Sequence, residues 1–320
     1  MSAIRIYLEN VRLSIFQPCC DTSIDVKGWV ANQNYYIDSD IQATKFTLRA
    51  SNPEQLKAAL ANDVNRMTIA AFESAAGVLP DPAMPRSVAW GAIRAYYASF
   101  FAAHALMRLF GTCCSQLDYE HVKMIYKSAE IFGKTGTTKS IDSGFYCLSI
   151  DANFETVVFE KLNDSHKDSW RTFRILLDQV SEKIPESISI SKYKIEASAL
   201  ISEISDGISR ANSASGNWLS SMRNSINYRH THGVWFPYTS KLNGSQILDA
   251  ASRNWLTYPT VNNLASDAGD VDIFMTTSTK VVSLLRELVI NGSELSTKIN
   301  PSFKNGCLKL LNEVQATRNT

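Results

Sequence analysis

One arginine and one histidine late in the chain have the residue types and the spacing to act together on a phosphodiester. Arg223 and His230 are seven residues apart in a segment with a helical pattern. On a helix this spacing is close to two turns, so both side chains would point to one side with an offset of about 20°. Arginine supplies a permanent planar cation for a phosphate group, and histidine carries a proton near neutral pH. The pair is a minimal set for metal-free cleavage of RNA, with Arg223 holding the phosphate and His230 as general acid or base.

Two neighbouring residues bear on this pair. Asn224 directly follows Arg223, and its amide could orient either member of the pair. His232 is an alternative base, because it lies just beyond His230 and before Gly233. If the helix continued through these residues, His232 would point about 180° away from Arg223.

The sequence gives no indication of a metal ion or cofactor. His230 and His232 stand at positions i and i+2, which do not face each other on a helix. The six cysteines contain no C-x-x-C pair, so neither a zinc site nor a disulfide framework is indicated. We therefore predict no metal, no cofactor and a reducing, cytoplasmic location.

A long apolar segment is the second informative feature. Residues 88–110 are long enough to span a bilayer, but they contain Arg94, His104 and Arg108. On a helix these three residues form one polar stripe on an otherwise apolar surface. The pattern favours a core helix over a membrane span, and the stripe indicates a second surface packed against it.

Charge distribution connects the two segments. The net charge is only +1, so any basic surface for nucleic acid must be local. Residues 82–117 and 207–248 contain no Asp or Glu. A cleft between these segments would not repel a phosphate backbone. The alternative explanation is that buried helices simply avoid carboxylates.

Helical periodicity dominates the chain after residue 50. Asn52-Pro53 has the residues of a helix start, Gly77 and Gly111 those of helix ends, and Pro185 breaks a helix. The predicted helices are residues 52–76, 86–110, 116–132, 153–184, 192–230 with an interruption near 207 or 216, 270–290 and 303–317.

The first fifty residues follow a different pattern. Alternation of Ile4, Ile6 and Leu8, and again of residues 11–15, predicts strands, as does Ala43–Arg49. We expect a mainly α fold, an antiparallel helical bundle with a small strand-bearing or irregular N-terminal element. The predicted segments are 1–50 for this element, 51–240 for the bundle and 241–320 for a C-terminal helical extension.

Over residues 51–240 the sequence resembles the HEPN (higher eukaryotes and prokaryotes nucleotide-binding) domains. Their signature is an arginine, a polar residue and then a histidine after a gap of four to six residues at the end of a bundle helix. Arg223, Asn224 and His230 match this signature with the longest gap. The segment Arg94-Ala-Tyr-Tyr-Ala-Ser-Phe resembles the R-x-Y-Y-x-x-F helix found early in such bundles.

The resemblance implies a function and partners. Many members of the family are metal-independent endoribonucleases that act as toxins or in antiviral defence, usually as homodimers in which two motifs face each other. For this chain it implies an RNA substrate (tRNA, mRNA or another single-stranded RNA), a homodimer, a possible regulatory protein partner and no membrane. The residues expected to bind the substrate are Arg94, Tyr97, His104, Tyr228 and Arg229.

An alternative function keeps the fold without the activity. A catalytically inactive HEPN-like module could serve as an antitoxin, a nucleotide sensor or a scaffold that binds another protein. Because a degenerate site leaves the fold unchanged, fold alone does not distinguish an enzyme from such a binding module.

We predict that RNA cleavage by this chain survives EDTA, because no cluster of metal-ligating residues accompanies the motif. Purified protein would be incubated with mixed RNA with and without the chelator. Activity that disappears in EDTA and returns with magnesium or manganese would contradict the prediction.

Overall fold

The computed structural model describes residues 3–20, 23–84, 86–211, 213, 215–239, 243–261 and 268–318. They form a mainly α-helical fold with a five-stranded antiparallel sheet, so the expectation of a mainly α protein is confirmed. The α-helices are α1 (Ala3–Leu8), α2 (Val26–Ala31), α3 (Pro53–Ala76), α4 (Ala89–Leu109), α5 (Tyr119–Ile131), α6 (Lys167–Lys183), α7 (Ser191–Ile208), α8 (Trp218–Arg229), α9 (Gly244–Asn254), α10 (Asp270–Glu294), α11 (Pro301–Asn305) and α12 (Cys307–Arg318). The strands are β1 (Tyr35–Tyr36), β2 (Lys45–Ala50), β3 (Thr112–Leu117), β4 (Gly144–Ile150) and β5 (Thr156–Lys161).

Helix α4 is the element around which the others pack. It contacts α3, α10, α8, α6 and β3, and most of its residues are buried. Its many alanines make a thin helix that neighbours can approach closely, and the Cβ that Gly91 lacks would collide with Leu248 of α9. The prediction of a helix buried on most sides is confirmed. Within the described residues, no helix is both long and apolar enough to cross a membrane.

Local signals located several helices correctly. The Asn52 side chain accepts a hydrogen bond from the backbone N–H of Glu54, and Pro53 opens α3 as predicted. Gly111 follows α4 with a φ of 87°, a left-handed conformation that glycine adopts without strain. The predicted interruption of the helix over 192–230 is present, because α7 ends at Ile208 and α8 begins at Trp218.

The sheet differs from the predicted arrangement of helices and strands. Its strand order is β1-β2-β5-β4-β3, with all neighbours antiparallel. The expected strand near Ala43–Arg49 is present as β2, but β5 occupies the first part of the predicted helix 153–184. The sequence Thr-Val-Val-Phe of β5 is β-branched and aromatic, and residues 157 and 159 are buried against the core.

The N-terminal strands were predicted wrongly. Residues 3–8 form α1, and residues 13–16 form a short 3-10 helix. Five of the six residues of α1 are buried, against α7 and α10 among others. A helix that is buried on nearly every side has no polar face, so its short apolar run also fits the alternation of a strand.

Residues from all three predicted segments contribute to one hydrophobic core. β2, from the first segment, pairs with β5 from the second, and α10, from the third, packs along α4. Described residues on both sides of positions 50 and 240 therefore fold against each other.

Two of the three residues of the polar stripe of α4, His104 and Arg108, are buried within the chain itself. The Nε atom of Arg108 lies 3.5 Å from a carboxylate oxygen of Asp63 on α3. Its Nη1 and Nη2 atoms donate to the carbonyls of His104 at 3.0 Å and Cys114 at 3.3 Å. The second surface expected against the stripe is thus formed by α3 and β3 at Arg108, and the stripe gives no support for a homodimer.

We predict that Asp63→Asn lowers the free energy of unfolding by about 3 kcal/mol or more, because it leaves the buried Arg108 cation uncompensated. Asp249→Asn, which breaks the exposed pair between Asp249 and Arg253, should lower it by about 1 kcal/mol or less. Urea denaturation of both variants measures the difference. Equal losses would show that the buried pair contributes no more than the exposed one.

Candidate active site

Arg223 projects from α8 onto α4. Leu219, Met222 and Ile226 bury the inner side of α8 at the spacing of one helical face. Arg223, next to Met222, is also buried on α8. Its guanidinium carbon lies 5.1 Å from the ring centroid of Tyr96 and 5.9 Å from that of Tyr97. The two segments without carboxylates therefore pack against each other through a cation on two aromatic rings.

The Arg223 guanidinium is buried without an anionic partner. The residue is 8% exposed, and its Nε atom has no hydrogen-bond partner. Among the described residues no carboxylate lies within ion-pair distance of it, whereas the buried Arg108 and Arg286 are paired with Asp63 and Glu287. A desolvated cation is costly, and a ring face offsets only part of that cost. A bound anion would supply the missing partner.

His166 contacts Tyr96 at its hydroxyl group. Its Nδ1 atom is 2.9 Å from the Tyr96 hydroxyl, which also accepts a hydrogen bond from Nε1 of Trp170 at 3.3 Å. The imidazole packs on Phe100, with the ring centroids 4.6 Å apart. Burial first, and then the positive charge of Arg223, lower the pKa of His166, while Asp164 acts in the opposite direction.

Sequence analysis did not select His166. The signal that could have found it is its position four residues before Trp170, a spacing that places both on one side of a helix start. The large apolar partner predicts a half-buried histidine there. Its contact with α4 joins residues that are 70 positions apart, which no local pattern reveals.

His230 does not share a helix face with Arg223. Helix α8 ends at Arg229, and His230 adopts a left-handed conformation with a φ of 51°. The exposed imidazole stacks on Trp235 at 5.4 Å between ring centroids, and Trp235 is fixed by a 2.7 Å hydrogen bond from its Nε1 to the carbonyl of Ile226. The described structure gives no direct contact between His230 and Arg223.

The two residues are nevertheless placed along one helix. Trp235 packs edge-on against Trp90 of α4, with centroids 5.5 Å apart, while Arg223 packs on Tyr97. Trp90 and Tyr97 are two turns apart on α4, or about 10 Å along its axis. The Arg223–Tyr97 contact and the His230–Trp235–Trp90 contacts therefore line one side of α4.

Most of the remaining predicted residues lie on the surface. Asn224, Tyr228, Arg229 and Arg94 are exposed, and Arg94 donates a 2.7 Å hydrogen bond to the carbonyl of Gly77 at the end of α3. His232 also has a left-handed backbone, with a φ of 69°, so the α8 helix does not extend to it.

His104 is not on the surface. It is 5% exposed, and its Nδ1 atom lies 3.2 Å from Nη1 of Arg108. Burial first, and then the charge of Arg108, lower its pKa well below the usual range, so the imidazole is neutral. His104, one of the residues expected to bind substrate, is thus placed in the core and contacts Phe100 and Arg108 of its own helix.

No family model, curated protein or solved structure matches this chain. The resemblance to HEPN domains thus depends on the Arg223–His230 motif and the helix containing Arg94. Within the described residues, no group of three or more His, Cys, Asp or Glu side chains has the arrangement of a metal site.

We predict that Arg223→Met leaves the free energy of unfolding within about 1 kcal/mol of the wild type or raises it, because it replaces an unpaired buried cation by an apolar chain. Arg108→Met is the matched control and should cost about 3 kcal/mol or more, since it leaves Asp63 unpaired. Chemical denaturation compares them. A large loss in Arg223→Met would mean that the guanidinium is needed for folding.

Proposed function

We propose that this protein is a metal-independent endoribonuclease with a HEPN-like bundle, acting as a toxin or an antiphage-defence effector. The observation that supports it best is the buried, carboxylate-free guanidinium of Arg223, which packs on two tyrosines, one of which is hydrogen-bonded to a histidine. Such a group is suited to an anion that enters from solution. A phosphodiester is the anion that the remaining side chains could process.

In the proposed reaction the ribose 2′-hydroxyl attacks the adjacent phosphorus. Arg223 stabilises the charge that develops on the phosphoryl oxygens, and His230 acts as general acid or base. Asn224 orients one of them. The P–O5′ bond breaks, leaving a 2′,3′-cyclic phosphate on one fragment and a 5′-hydroxyl on the other, with no metal or cofactor in any step.

Exposed aromatic and basic side chains around the motif would hold the RNA. Tyr97, Tyr228 and Phe236 are exposed, and aromatic faces of this kind stack on unpaired bases. Arg94 and Arg229 add positive charge for the backbone. A single-stranded substrate follows, because bases in a duplex are not free to stack on protein side chains.

Assembly is part of the same proposal. In the family two motifs meet across a dimer, and a homodimer of this chain would place two copies of Arg223 and His230 in one cleft. Light scattering at micromolar concentration would then give about twice the chain mass of 35.6 kDa. A stable monomer that cuts RNA would contradict the shared cleft.

A binding module without activity is the second candidate, favoured by the absence of a direct Arg223–His230 contact in the described structure. Such a module would be an antitoxin, a nucleotide sensor or a scaffold. Expression of the wild type beside His230→Ala separates the two functions. Growth arrest that the substitution relieves indicates a nuclease, and equal growth indicates a binding module.

We predict that Arg223→Ala and His230→Ala each lower the rate of RNA cleavage by about 100-fold or more, the usual contribution of a phosphate-stabilising group or an acid–base residue. His232→Ala should lower it by less than about tenfold. Initial rates on one labelled RNA measure all three. If His232→Ala were the most damaging, His232 would be the histidine that transfers the proton.

A further inference from the structure

We propose that His166 is a second histidine of the active site, which contacts the phosphodiester held by Arg223 and accepts the proton of the attacking 2′-hydroxyl. This inference depends on the proposed ribonuclease function for its chemistry. The position of His166 does not depend on that function. It follows from two contacts, one between His166 and Tyr96 and one between Tyr96 and Arg223. His230 would then be the acid of the reaction.

The hydrogen bond to Tyr96 determines which nitrogen of His166 is free. Nδ1 is bound to the Tyr96 hydroxyl at 2.9 Å, and the ring is fixed in position by Phe100. No described residue forms a hydrogen bond with Nε2, and the residue is half-buried. Nε2 is therefore the atom available to a ligand in front of Tyr96.

Tyr96 can also set the tautomer. Its oxygen has two lone pairs, one of which receives the Nε1–H of Trp170 at 3.3 Å. The Ser220 and Arg223 side chains also lie within hydrogen-bonding reach of this hydroxyl. When the hydroxyl donates its own proton to Ser220, it can accept Nδ1–H from His166. In that arrangement Nε2 carries the lone pair, which is the form required of a general base. Tyr96 is thus a positioning residue.

Arg223 and His166 share Tyr96 as a wall. Arg223 covers the face of its ring, with its guanidinium carbon 5.1 Å from the centroid, and His166 meets its hydroxyl. The charge of Arg223 acts on the imidazole of His166, so a phosphate that pairs with the Arg223 guanidinium would lie within the electrostatic range of His166. The sequence motif contains one histidine, His230. The fold brings a second, His166 at the start of α6, into contact with Tyr96.

Surrounding charges suit a base. Burial is the larger cause that lowers the pKa of His166, and the charge of Arg223 on α8 lowers it further. Asp164, in the loop before α6, raises it, and His104 on α4 is neutral. The free imidazole is therefore unprotonated at pH 7 and can accept a proton. A bound phosphate opposes the field of Arg223, so binding should raise the pKa of His166.

The proton balance of the step is complete without another reactant. The O2′–P bond forms while the 2′-hydroxyl proton moves to Nε2 of His166. The P–O5′ bond breaks while O5′ receives a proton from the His230 imidazolium. Afterwards His166 releases its proton to water and His230 takes one up, which restores both residues.

A test independent of activity uses NMR of the full-length protein with labelled histidine imidazoles. The His166 signal is assigned from its loss in His166→Asn and titrated with pH, with and without inorganic phosphate. We expect phosphate to move the midpoint upward by half a unit or more in the wild type and not in Arg223→Gln. An unmoved midpoint, or the same shift in Arg223→Gln, would overturn the proposal.

Cleavage assays test the role in the reaction. His166→Asn can keep a donor near the Nδ1 position for Tyr96 but lacks Nε2, and we expect it to lower kcat by about 100-fold or more. Tyr96→Phe should shift the acidic limb of the pH–rate profile, a change that a packing defect would not produce. His121→Asn, on α5 beside Asp118, is the control and should change kcat less than threefold.

The two proposals fail in different ways. If the wild type cuts no RNA but phosphate moves the His166 midpoint through Arg223, the ribonuclease function is wrong and the anion site stands. If the wild type cuts RNA and His166→Asn, folded by its denaturation curve, cuts equally well, His166 is not the base.

Discussion

The burial of α4 on nearly all sides is the constraint on which the rest of the structure depends. Its alanines and Gly91 let α3, α9 and α10 approach closely, while the polar groups on it each require a partner. Arg108 finds Asp63 on α3, and Tyr96 finds His166 and Trp170 from the α6 region. The helix thus organises both the core and the candidate site.

The same helix explains a contrast between two buried arginines. Arg108 is matched to a carboxylate and to carbonyls, which is the pattern of a structural ion pair. Arg223 is matched to the rings of Tyr96 and Tyr97 and to the Tyr96 hydroxyl, with no carboxylate. A fold selected for stability alone would have replaced it, and functional sites are where such local disadvantages persist.

Local sequence signals predicted the parts of the fold that depend on local interactions. The cap at Asn52, the stop at Gly111 and the apolar character of α4 follow from short-range chemistry, and these predictions were confirmed. The sheet did not follow, because β5 is stabilised by pairing with β2, which is more than a hundred residues away, as well as with the neighbouring β4. For the site, Arg223 and Tyr97 were selected, but His166 depends on a tertiary contact and the position of His230 on where α8 stops. A helical projection cannot show the residue at which a helix ends.

The left-handed backbone of His230 has an evolutionary consequence. A residue with a Cβ in this conformation is destabilised by roughly 1–2 kcal/mol, whereas glycine adopts it freely. Without selection for an imidazole at this position, mutation would drift toward glycine or asparagine, and the fold would gain stability from the change. Among natural variants of this chain, glycine at position 230 would therefore be an early mark of a lineage that lacks the proposed proton transfer while retaining the fold.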